Sequence, residues 1–197
     1  MSARAHPLTL RRPPSRPFLQ HLLAAGAGLV SALGPTVLLG AAAGLLIENA
    51  WTVALDRADK GGKLLAACLM AGGAGGRPVT LIAHSVGARL VFSALLELCR
   101  CGARGLVHEV LLLGAPVAPA PERWRMARRA VAGRLVNGHS ANDWLLGVMY
   151  AASRPPAGLA PVEAEGVENV RLDGLVAGHQ DHLKALGEIL GLVGLPA

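Results

Sequence analysis

Residues 77–92, RPVTLIAHSVGARLVF, constrain the fold more than any other stretch of the chain. Residues 79–82 form a short apolar, partly β-branched run, the pattern of a strand buried in a parallel sheet, and residues 87–96 read as a helix. Ser85 stands at the tight turn between them. The segment Ala83-His84-Ser85-Val86-Gly87 departs only at Ala83 from G-x-S-x-G, the strand-to-helix turn that lifts a serine hydroxyl above a sheet as a nucleophile. Small flanking residues suit such a turn because neighbouring chain comes close to it. The structural alternative is a serine whose hydroxyl accepts a backbone N–H and caps the helix. The two readings differ in where that hydroxyl points.

The chain after this turn repeats the same alternation. Residues 108–113 form a second apolar run ended by Gly114-Ala115-Pro116, residues 134–136 a third short strand, and residues 167–172 a fourth. Helical segments lie between them: one carrying Trp124 and the run Arg123, Arg125, Arg128 and Arg129, then residues 144–151, and a last helix entered at His179 and running through Leu192. Strands alternating with helices specify an α/β fold with a parallel sheet and flanking helices. Upstream, residues 48–70 read as an amphipathic packing helix that follows a turn.

In a parallel α/β sheet the chemistry collects on the loops beyond the carboxyl ends of the strands. Three residues stand there in the order Ser85, Asp143, His179, which is the order of a hydrolase triad. In that reading His179 takes the serine proton, Asp143 orients the imidazole, and the backbone N–H of Val86 donates to an oxyanion. Each has a structural rival. Asp143 precedes Trp144 where a helix N-cap belongs. Asp173 and Asp181 are alternative acids, Asp181 standing three residues before Lys184, and His182 competes with His179. His84, His108 and His139 read as loop or strand-start polar groups. His179 and His182 form an H-x-x-H without a third ligand, so neither a metal nor a cofactor is expected.

The first 47 residues have a different character. Residues 1–17 carry Arg4, Arg11, Arg12 and Arg16 among four prolines and no acid, the composition of a basic disordered arm. Residues 18–47 then hold no Asp, Lys or Arg and no Glu, a run long enough to span a bilayer core of ~30 Å, divided at Pro35. The arginine flank would keep the amino end on the cytoplasmic side. Organelle targeting and a helix packed on the sheet are the competing readings. Residues 48–197 make the α/β domain. The net charge of +6 raises nucleic acid as a partner, but aromatic residues are 3% and Lys60, Lys63 and Lys184 are the only lysines, so arginine-rich composition explains the charge. The three cysteines have no spaced framework, which reads as free thiols in a reducing compartment.

Several long blocks carry a resemblance: IENAWTVALDRADKGGKLLA, RPVTLIAHSVGARLVF, EVLLLGAPV, GRLVNGHSANDWLLGVMY and GVENVRLDGLVAGHQDH. Over residues 36–190 the chain resembles the transmembrane and coiled-coil domain-containing protein 4 family. The resemblance implies an α/β-hydrolase-like, membrane-associated domain, with Ser85 at the elbow, Asp143 in N-D-W-L-L and His179 in the G-H block. Ala83 and His84 depart from that pattern, which tends to glycine and an aromatic there. It also implies earlier strands and an oxyanion loop for which residues 1–77 leave no room. The chain therefore reads as the C-terminal part of a partial α/β-hydrolase fold, with residues 79–82 as an exposed apolar edge. Two functions are compatible with this: a membrane-associated serine esterase or lipase acting on an ester or lipid, and a non-catalytic hydrolase-like remnant serving as an interaction module.

Overall fold

The computed structural model describes residues 35–151 and 153–195, with side chains from residue 50 onward. The chain divides into two units at Asn49/Ala50. The expected arm, 1–17, and most of the apolar segment, 18–34, lie outside the described residues. Of that segment, 35–47 belong to helix α1, Pro35–Met70. The turn expected before Glu48 is therefore absent: Pro35 supplies a helix-compatible first residue, and Glu48 and Asn49 carry nothing that breaks the helix. Among the described residues no helix is long and apolar enough to cross a membrane.

The second unit is an α/β fold. In chain order come β1 (Val79–His84), α2 (Val86–Arg100), β2 (Val107–Leu113), α3 (Pro121–Arg129), β3 (Leu135–His139), α4 (Trp144–Met149), β4 (Val167–Arg171), α5 (Asp181–Lys184) and α6 (Leu186–Val193). The strands form one sheet in the order β1-β2-β3-β4, every pair parallel. Side chains alternate across it as the two-residue period requires. Val110 and Leu112 of β2 join Phe92, Leu95, Leu98 and Trp124 on one face, while Leu111 and Leu113 join Val136, Ile189, Leu190 and Val193 on the other. β1 occupies the edge, and Ile82 is 42% exposed there.

Two details differ from the expectation. β3 runs on to His139, because the amide of the buried Asn137 donates to the carbonyl of Ala157 and to Oδ1 of Asn169, which makes a polar residue admissible inside the sheet. The last helix is two, joined at Ala185 without a glycine or proline at the joint. Within the arginine run of α3, Arg123 lies 5.6 Å over the Phe92 ring and Arg128 donates to the carbonyl of Val131.

α1 lies close against α2. A Cβ on Gly62 would collide with the Leu90 carbonyl and fall 2.6 Å from Cβ of Ser93. The contact is fastened by Arg89, whose guanidinium grips both carboxylate oxygens of Asp59 at 3.0 and 2.7 Å, and by Ser93, whose hydroxyl donates to the Asp59 carbonyl. The helix that begins at the elbow is thus anchored to α1.

Candidate active site

β1 delivers the chain to Ser85, whose φ of 54° and ψ of −128° are strained for a residue with a Cβ; among the described residues no other non-glycine has positive φ. The turn is pinned by the Ser85 N–H, which donates to the Leu113 carbonyl and extends the β1–β2 ladder by one residue. Ser85 precedes α2 but its hydroxyl makes no capping hydrogen bond. It lies 2.7 Å from Nε2 of His179 instead. Ala83 is accommodated, half-buried against the core. Gly87 is a correction to the close-approach argument: a Cβ there would meet nothing within 4 Å.

Asp143 is fully buried at the start of α4 and does both things its position suggested. Oδ1 accepts the Leu146 N–H at 3.1 Å, closing the cap, and Oδ2 stands 2.7 Å from Nδ1 of His179. Burial alone would raise this carboxyl; the hydrogen bonds from His179 and Leu146, with His182 close by, overcome it and hold the group well below the usual carboxylate range. Ser85, His179 and Asp143 therefore form one hydrogen-bonded chain drawn from the loops after β1, β4 and β3. Val86 begins α2, so its N–H belongs to the first turn, whose amides lack partners within the helix.

The rival residues are placed elsewhere. Asp173 accepts from the Ser140 hydroxyl, the Ala141 N–H and Arg171, and so shapes the loop that carries Asp143. Asp181 pairs with Lys184 on the exposed side of α5. His139 is buried in β3, which lowers its pKa.

Two histidines matter more than the sequence reading allowed. His84, the last residue of β1, faces the His179 carbonyl with Nε2 at 3.0 Å, and its ring lies 4.6 Å from that of His179. Burial, then the neighbouring His179 and His182 rings, push His84 down to about 4, so it is uncharged at neutral pH and donates to that carbonyl. His182 is fully enclosed, its Nε2 3.5 Å from Oδ2 of Asp143. The aromatic that the resemblance implied at position 84 was the available signal for the first; the H-x-x-H spacing marked the second only as a rival to His179.

Fold and site together define an α/β protein with a Ser–His–Asp hydrogen-bonded chain at the carboxyl edge of a parallel sheet. The chain belongs to the family described as protein of unknown function (DUF726), whose profile matches residues 19–196. It is 49% identical over 168 residues to the rice transmembrane and coiled-coil domain-containing protein STS1, covering 83% of this chain and 25% of that protein. It is 40% identical over 157 residues to the probable lipase MIL1 of Saccharomyces cerevisiae, covering 77% and 15% respectively. It is 39% identical over 176 residues to the uncharacterized membrane protein F35D11.3 of Caenorhabditis elegans, covering 86% and 28%. The chain thus spans little more than a quarter, or less, of the curated relatives it matches. The wording shared with the family named from sequence extends to transmembrane and coiled-coil domain-containing, and not to the number 4. No solved structure matches the chain.

Proposed function

We propose that this chain carries the catalytic centre of a membrane-associated serine ester hydrolase. Ser85 Oγ attacks the ester carbonyl while Nε2 of His179 takes its proton, and Asp143 stabilises the imidazolium that results. The Val86 N–H donates to the oxyanion. Collapse of the tetrahedral species expels the alcohol, which leaves with the proton held on His179, and an acyl group remains on Ser85. Water activated by the same imidazole then releases the acid.

The observation that carries this reading is the direction of the Ser85 hydroxyl. A capping serine would spend its oxygen on the first turn of α2; this one is held at positive φ and spends it on an imidazole 2.7 Å away. The yeast relative's name, probable lipase, supports an ester of a lipid as substrate class, and relatives named as membrane proteins support association with a membrane. Labelling with a fluorophosphonate followed by peptide mapping tests the nucleophile. Modification at Ser85 that vanishes in Ser85→Ala is the expected result, and equal labelling of both proteins would overturn the assignment.

A further inference from the structure

His182 has no part in the chain of three, yet its surroundings are built around it. It sits in a four-residue helix whose other polar side chains face solvent, and it alone is fully enclosed. Neither ring nitrogen has a hydrogen-bond partner within ordinary length, an arrangement that leaves a polar group stranded unless it serves a purpose. Its Nε2 lies 3.5 Å from Oδ2 of Asp143, the same oxygen that faces His179. The His84 ring packs 5.3 Å away on one side, and the His179 ring stands edge-on to it at 6.4 Å and 80°. From the end of β2, Gly114 closes the contact: a Cβ there would fall 3.1 Å from Nε2 of His182 and 3.2 Å from Oδ2 of Asp143.

We propose that His182 is a positioning residue of this site, directing an Nε2–H at Oδ2 of Asp143 and so steadying the carboxylate that orients His179. The inference rests on the serine-hydrolase reading. The tautomer follows from electrostatics, because a hydrogen on Nδ1 would leave a lone pair on Nε2 pointed at a carboxylate oxygen. A length of 3.5 Å is loose, as hydrogen bonds of a resting site commonly are before the reacting charge develops. Asp143 then holds its charge through three donors: the Leu146 amide on Oδ1, and His179 and His182 on Oδ2. The other titratable group facing this cluster is His84 of β1, while Asp181 and Lys184 pair with each other on the outer side of α5.

A donor to the carboxylate lowers the affinity of the coupled His179–Asp143 pair for a proton, and the active form is the one without it. Loss of that donor moves the acid limb of Ser85 reactivity to higher pH. The experiment is the rate of fluorophosphonate labelling against pH for the parent chain, His182→Leu and His182→Gln, with folding of each checked by circular dichroism. Leucine should slow labelling at neutral pH by about tenfold, the scale of losing a supporting hydrogen bond behind a functional ligand, and should raise the acid limb. Glutamine, which keeps a donor, should restore both. A folded leucine variant with the parent's rate and limb overturns the proposal, and so does a glutamine variant that behaves like leucine. Nitrogen-15 chemical shifts of histidine-labelled parent chain give a second readout that needs neither a variant nor activity. Hydrogen on Nε2 of His182 is expected, and hydrogen on Nδ1 overturns the inference. A parent chain that is unlabelled at Ser85 would instead remove the hydrolase reading, with the tautomer still deciding the role of His182.

Discussion

Asp143 and His179 are joined through one carboxylate oxygen only, the other being taken by the backbone of Leu146. Capping and orientation are therefore separable by substitution. Asp143→Asn keeps an acceptor for Leu146 but sets an amide against Nδ1 of His179, which selects the wrong imidazole tautomer. Turnover should fall by about 10⁴ with stability nearly unchanged. Asp143→Ala should lose turnover and, in addition, about 1 kcal/mol from the uncapped helix, read from urea titration.

Gly114 should accept no side chain. Its φ is +51°, and a Cβ would press on both His182 and Asp143. Gly114→Ala should cost about 1–3 kcal/mol in unfolding free energy and slow Ser85 labelling, since the strain is stored where the acid and its neighbour meet.

Two helical glycines should respond in opposite directions. Gly62→Ala pushes against the α2 backbone at Leu90 and should destabilise by about 1–3 kcal/mol. Gly87→Ala, facing open space in a helix, should stabilise by up to about 1 kcal/mol, with thermal unfolding reporting both.

His84 ties stability to pH. Its pKa in the fold is about 4, below the 6.5 of the free side chain, so between these values the unfolded chain binds more protons. Stability should therefore be fully present above pH 6.5 and decline as pH falls toward 4, by on the order of 2–3 kcal/mol. His84→Phe, which keeps a ring but cannot titrate, should remove that slope from the difference between urea titrations at pH 4.5 and pH 7.

The sheet and the order Ser85, Asp143, His179 were legible because each depends on short-range pattern: apolar runs, a small-residue turn and residues at strand ends. The extension of β3 was hidden, since Asn137 looks like loop chemistry until its amide is seen to donate to Ala157 and Asn169. The choice between Asp143 and Asp173 was likewise a matter of which loop reaches which. His84 read as an ordinary polar residue, and His182 only as a rival to His179, because the site that gathers them is assembled from segments up to roughly a hundred positions apart along the chain, and no local spacing encodes that convergence. The join at Ala185 carries no breaker residue, so periodicity ran through it.

Among the described strands β1 pairs with β2 alone, and a parallel strand turns alternate N–H groups to alternate sides. The amides of Val79 and Ser85 point inward, to the carbonyls of Leu106 and Leu113, which sets Leu81 and Ala83 inward as well and turns those of Thr80, Ile82 and His84 to the open edge. Deuterium uptake along this strand should therefore be two-phased, fast at the even positions and slow at the odd ones, with Ser85 the last slow amide before the helix. Whatever lies along that edge would slow the fast set first, making the three outward amides a direct gauge of how firmly the serine is held.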